Sequence, residues 1–162
     1  MPRLAQISDW TEVRDLRMRA LAEAPEAFAQ SLADAVLLTD EQWKERLEPT
    51  HERAWFVEET PSGEFVGTAV GFLDPDARLA YLGGMWVAPE HRRLGIGRTL
   101  IEHVEFWARE RGATRIELEV NAATLAAVRL YESCGYESTG GTRPLPSDPS
   151  ATVIELAKTI IP

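Results

Sequence analysis

Apolar positions recur along this chain with two different periods, and each change of period marks an element. Trp10, Val13, Leu16, Ala20 and Leu21 return at helical spacing, as on an amphipathic helix. A short strand over residues 4–7 precedes them, Asp9-x-x-Glu12 reads as a capping box at the helix start, and Pro25 ends it. Residues 26–38 are less regular, although Ala27, Phe28, Leu32, Val36 and Leu37 should bury something. Thr39-Asp40-Glu41-Gln42 then forms a second capping box, with Leu38 and Trp43 at the positions of a hydrophobic staple, so a short helix is predicted to about Leu47. The two helices and the segment between them predict a lid or wall.

From residue 53 the period shortens to two. Strands are predicted over residues 54–58, 65–73 and 79–87, joined by the turns Pro61-Ser62-Gly63 and Asp74-Pro75-Asp76. Connections this tight imply an antiparallel meander. Gly83-Gly84 falls inside the third strand, where glycine is tolerated mainly at a bulge or a close backbone approach. A bulge would splay the strand and free main-chain groups for a ligand; packing against Trp86 is the other explanation. Helical spacing returns with Ile96, Leu100, Ile101, Val104, Trp107, Ala108 and Arg111, stopped by Gly112. Ile116, Leu118 and Val120 then alternate with Glu117, Glu119 and Asn121, a half-buried strand, and the order strand, helix, strand predicts a parallel crossover. A helix over residues 124–134 carries Ala127, Leu130, Tyr131 and Cys134 on one stripe and stops at Gly135. A strand over residues 136–139, a Gly- and Pro-rich loop over residues 140–149 and a last strand over residues 153–160 complete the chain, with no repeat or linker.

Candidate chemistry concentrates in residues 81–100, which run from an aromatic-rich strand through Pro89, Arg92 and Arg93 to Gly95 and Gly97 at a helix start. The first amides of a helix lack internal partners and carry partial positive charge, so they attract phosphate. Glycine lets that backbone approach a ligand closely, and Arg92, Arg93 and Arg98 add cationic donors. A dinucleotide fingerprint fits poorly because Leu100 stands where its third glycine belongs; a Walker loop fits poorly because Arg92 stands where its first glycine belongs.

Composition narrows the setting. The 162 residues, 44% hydrophobic and 27% charged, are expected to form one domain spanning residues 1–162. No apolar run approaches the roughly 20 residues of a membrane span, and the N-terminus lacks a secretory core, so a cytoplasmic location is expected with no membrane partner. A net charge of −9 argues against a nucleic-acid surface and would favour cationic amines, if it does more than keep the chain soluble. The single cysteine, Cys134, excludes an intrachain disulfide and reads as a small core residue; His51, His91 and His103 show no ligand spacing, so no metal is implied.

The pattern Arg92-x-x-Gly95-x-Gly97, led by Val87-Ala88-Pro89 and followed by an amphipathic helix, resembles the acetyl-CoA pyrophosphate loop of the GNAT N-acetyltransferase superfamily. Asn121-x5-Ala127-x2-Leu130-Tyr131-x3-Gly135-Tyr136 resembles that family's later motif, and the likeness covers residues 53–140 most fully. It implies an α/β (α+β) fold: a mixed, mostly antiparallel sheet of about seven strands, flanked by about four helices and splayed at the acetyl-CoA slot. The implied activity is acetyl transfer from acetyl-CoA to a primary amine by direct attack in a ternary complex, on a small molecule, amino acid or protein amino group. The competing class is a non-catalytic acyl-CoA-binding sensor or interaction module. Expected partners are acetyl-CoA and an amine acceptor, with a homodimer as the assembly to test.

Carried over by position, the main chain near Trp86 and Val87 would pair with the pantetheine arm. Arg92, Arg93, Leu94, Gly95, Ile96, Gly97, Arg98 and Thr99 would hold the pyrophosphate, and Asn121, Thr124 and Ala127 would border the cofactor. Tyr131 matches the tyrosine that protonates the departing thiolate, against the alternative of a core aromatic. Two departures stand out: Thr124 occupies a position often asparagine in relatives, and residues 81–87 hold no acid where some relatives place a base. Glu119 is the nearest acidic candidate base, or else a solvated strand glutamate. The acceptor walls are expected from residues 22–35, 81–85 and 140–148.

Overall fold

The change from helical to alternating spacing produces a seven-stranded sheet in the computed structural model, which describes residues 1–161. The strands are β1 (Arg3–Leu4), β2 (Arg53–Glu59), β3 (Phe65–Asp74), β4 (Leu79–Val87), β5 (Arg115–Asn121), β6 (Glu137–Leu145) and β7 (Asp148–Thr159). They lie in the order β1-β2-β3-β4-β5-β7-β6. Every neighbouring pair is antiparallel except β4 and β5, which are parallel. The helices are α1 (Trp10–Glu23), α2 (Leu32–Ala35), α3 (Asp40–Leu47), α4 (Ile96–Glu110) and α5 (Leu125–Ser133).

Two buried clusters cover the sheet. On one face the α4 stripe of Leu100, Ile101, Val104, Trp107 and Ala108 meets Phe56, Leu73, Ile116 and Leu118, and α5 adds Tyr131. Gly71 permits the close approach: a Cβ there would lie 2.9 Å from the Trp107 ring. On the other face α1 and α3 pack Val13, Leu16, Trp43 and Leu47 onto Trp55, Val66, Val70 and Trp86. The Thr39 capping box forms as expected, with Thr39 N–H donating to Gln42 Oε1 at 2.9 Å and Gln42 N–H donating to Thr39 Oγ1 at 3.2 Å.

Three local expectations change. The first strand is Arg3–Leu4, because residues 7–9 turn into a 3-10 helix that leads directly into α1. Asp9 does not close a box with Glu12; its carboxylate accepts from Gln6 N–H at 2.8 Å and from Arg3 at 2.8 and 3.0 Å. The segment 140–149 is no open loop, since β6 and β7 form a long hairpin through it. The glycines there mark an irregularity in register between Ser138 and Thr142, with Gly140 at φ +87°. Of β6 only Leu145 is buried, so this edge strand offers no alternation to read.

The Arg3 guanidinium holds the Asp9 carboxyl below the usual range; burial opposes this and the Gln6 amide assists it. A depressed folded-state value means that the contribution is present above the unfolded value of about 3.9 and is lost as pH falls through the folded one. Asp9→Asn should therefore cost about 0.2–1 kcal/mol at pH 7, the range for a solvent-screened pair. The difference from the parent should vanish in urea titrations at successively lower pH.

The fork between β4 and β5 follows from Gly83-Gly84. The step from Val70 to Thr68 on β3 faces the longer step from Gly83 to Trp86 on β4, and Gly84 takes φ +58°. One extra residue on β4 is a bulge, which bends the strand. Parallel pairing with β5 stops at Leu82 opposite Leu118, whereas β5 stays paired to β7 as far as Asn121 opposite Val153. Past Leu82 the β4 edge facing β5 has no strand partner.

Candidate active site

Beside the fork stands the N-terminus of α4. Pro89–His91 makes a single 3-10 turn, Arg93 takes φ 64° and Gly95 φ 82°, and the first helical bond runs from Thr99 N–H to Gly95 O at 3.1 Å. The amides of residues 93–98 make no backbone bond outside this turn among the described residues, which leaves a ring of donors at the positive end of a 15-residue helix. Gly97 is where α4, α5 and β4 converge: a Cβ there would lie 2.9 Å from Leu130 Cδ2 and 3.1 Å from Met85 Cε.

The side chains of this loop divide. Arg93 and Leu94 are exposed, and Thr99 Oγ1 donates to Ile96 O. Arg98 donates to Ser133 Oγ at 2.9 Å and so ties α4 to α5. Arg92, also exposed, is nonetheless engaged, donating from Nε to Val87 O at 2.9 Å and from Nη2 to Glu23 Oε2 at 3.0 Å. Trp86, buried on the α1 face, donates from Nε1 to the same Glu23 oxygen at 2.9 Å. Burial works to raise the Glu23 carboxyl, but the bonds from Trp86 and Arg92 outweigh it and hold the group below its ordinary value. Arg92, Trp86 and Glu23 thus form a clamp that fixes the loop to α1, a long-range link the sequence does not display.

On the opposite prong, Asn121 is buried with both ends engaged: Nδ2 donates to Glu26 O at 3.0 Å and Oδ1 accepts from Ala123 N–H at 2.9 Å. Thr124 precedes α5 without a side-chain cap bond, and Ala127 packs against the α4 cluster. Tyr131 belongs to the same buried cluster as Leu82 and Leu118 and meets Tyr136 edge-on at 6.0 Å between ring centroids. Burial, and to a lesser degree Cys134, raises its hydroxyl pKa above the ordinary 10.

A cleft of about 610 Å³ opens on the α1 side of the fork. The three stretches expected to wall the acceptor site meet there, through Phe28, Tyr81, Gly83, Gly84, Arg143 and Leu145. Glu119, the first β5 residue beyond the last β4 pair, lines it with its carboxylate ion-paired to Arg143. Sequence reasoning missed Arg17, Arg46, Glu117 and Glu155 on the same wall; they come from four separate elements and share no spacing. Among the described residues no group of three or more His, Cys, Asp or Glu could hold a metal ion, and no helix is long and apolar enough to cross a membrane.

Residues 10–136 match the Acetyltransferase (GNAT) family. Over 57 residues, 35% of this chain and 38% of the relative, the chain is 42% identical to the ribosomal protein bS18-alanine N-acetyltransferase of Escherichia coli strain K12. It is 32% identical over 134 residues to the mycothiol acetyltransferase of Thermobispora bispora, taking in 75% of this chain and 40% of that one. The chain thus spans less than half the length of these two relatives. In structure it is similar to a GNAT-family acetyltransferase from Streptococcus pneumoniae, with a TM-score of 0.85 and 22% identity over 99% of this chain and 98% of that one.

Proposed function

Because the chain belongs to the acetyltransferase (GNAT) family, we propose that it moves an acetyl group from acetyl-CoA to a primary amine bound beside it in a ternary complex. The observation that carries this is the β4–β5 fork closed at one end by the free amides of the α4 N-terminus. Those amides, with Arg93 and Arg98, suit a pyrophosphate, and the unpaired β4 edge past Leu82 suits the amide-rich pantetheine arm. Acetyl-CoA supplies an activated acyl carbon; the chain's own residues orient it and manage charge and protons.

Tyr131 is assigned to donate a hydrogen bond to the sulfur as it takes on negative charge. An alkylamine with a pKa near about 10.4 arrives protonated, and Glu119, at the fork and in contact with the cleft, is assigned to pass that proton to solvent once Arg143 releases it. Asn121 acts by holding the β5–α5 corner, since its amide is occupied. The acceptors in the relatives' names, a ribosomal protein's alanine among them, support an amine acceptor in general.

Acetyl-CoA at 100 times its dissociation constant should stabilise the protein by about 2.7 kcal/mol, raising Tm by roughly 5–10 °C for a chain of this size. Amine-dependent release of free CoA thiol should follow. A thermal shift without amine-dependent thiol release would instead mark a binding module, and absence of both would remove the assignment.

A further inference from the structure

Two guanidiniums on the cleft wall face no carboxylate. Arg17, on α1, donates from Nε and Nη2 to Gln30 Oε1 at 3.2 and 3.1 Å and lies 4.4 Å from the Phe28 ring centroid. Arg46, on α3, lies 5.7 Å from the Trp43 ring. In a chain with 26 acidic and 17 basic residues, neither has an acidic partner among the described residues. Burial pushes the Arg17 pKa down to about 10, and the like charge of Arg46 adds to this. Two half-desolvated cations on one open cleft are an arrangement that an incoming anion relieves.

Their position relative to the fork restricts that anion. A Cβ built on Gly84 would lie 3.8 Å from Arg17 Nη1, so the guanidinium stands against the bulge where β4 leaves β5. An anion held there would stand beside the mouth of the fork, so an amine reaching into the fork from it would have its nitrogen close to the anionic group, as in an amino acid. Arg143 pairs with Glu119 and Arg115 with Glu117, while Glu155 accepts from Thr139 Oγ1 at 2.8 Å; the charges of Glu117 and Glu155 bear on Tyr81, whose hydroxyl pKa burial and these carboxylates raise. Of the three arginines on the lining, Arg17 and Arg46 are the two that have no carboxylate partner among the described residues.

We infer that the acceptor is a primary amine bearing a carboxylate close to the nitrogen, an amino acid or amino-acid-like molecule, held by Arg17 with Arg46 behind it. This rests on the acetyltransferase assignment. The test compares amino acids with their primary amides and decarboxylated amines, and with spermidine, by thiol release from acetyl-CoA, for the parent protein, Arg17→Gln and Arg17→Lys. The carboxylate-bearing acceptors should have kcat/KM at least about tenfold above their amides, the value of a charge-assisted bond. In Arg17→Gln that ratio should fall to near one, chiefly through KM, and Arg17→Lys should recover part of it. Amides or polyamines used as well as amino acids by the parent protein would overturn the inference, and that comparison stands even if Arg17→Gln does not fold. A thermal shift with acetyl-CoA separates the failures: shift and amine acetylation without carboxylate preference sinks this inference alone, whereas no shift and no transfer sinks the assignment beneath it.

Discussion

Tyr131→Phe is expected to lower kcat for acetyl transfer by about 10²–10³-fold, the usual cost of removing one donor aimed at developing charge. The dissociation constant for acetyl-CoA should move less than about threefold, because the proposed hold on the phosphate end is by the α4 amides, away from Tyr131. The raised pKa decides what the hydroxyl can do. It stays protonated across the whole working range and so remains a donor, but full transfer to an alkyl thiolate, whose acid has a pKa near about 8.5, runs uphill. Hydrogen bonding to sulfur during C–S cleavage is therefore the contribution that the proposed mechanism asks of it. In the proposed mechanism amine deprotonation sets the acidic limb of the pH–rate profile, so the substitution should lower the plateau without moving that limb. Phenylalanine keeps the edge-on contact with Tyr136, and Tm should change by less than about 3 °C. A variant within threefold of the parent in kcat would return Tyr131 to the hydrophobic core.

The parts of this structure that were legible in the sequence are those specified by short-range pattern. The β2–β4 meander follows from alternation and tight turns, α4 from one apolar stripe, and the fork from a glycine pair inside a strand. The β6–β7 hairpin was hidden because an exposed edge strand has no buried face to impose a period. The Glu23 clamp and the Arg17–Arg46 wall were hidden for a different reason: both are made by side chains brought together from distant elements. Glu105 is an intermediate case. It falls between Ile101 and Ala108 on the buried face of α4, and a glutamate there demands a cationic partner, although nothing local says which.

That partner is Lys158, and Lys158→Met is expected to cost about 3–5 kcal/mol, because removing one member of a buried pair strands the other's charge. The Glu105 side chain is only 5% exposed and both its oxygens accept from Lys158 Nζ at 3.0 Å. Tyr136 donates its hydroxyl to Oε1 at 3.1 Å, and Arg109 stands off at 3.9 Å. After the substitution one neutral hydrogen bond and a longer ion pair must solvate the carboxylate alone. For a chain of this size the loss corresponds to a Tm lower by roughly 6–20 °C. The double variant Glu105→Met with Lys158→Met removes both charges and should recover most of the difference, since apolar replacements of a buried pair are often neutral or better. A single-variant cost below about 1 kcal/mol in urea denaturation would show that the pair behaves as a screened surface bridge. The network also reaches the active site, because Tyr136, anchored by Glu105, supplies the edge against which Tyr131 rests. The double variant should therefore regain stability more completely than kcat: its repacked Tyr136 loses the bond that fixes the ring next to the proposed donor.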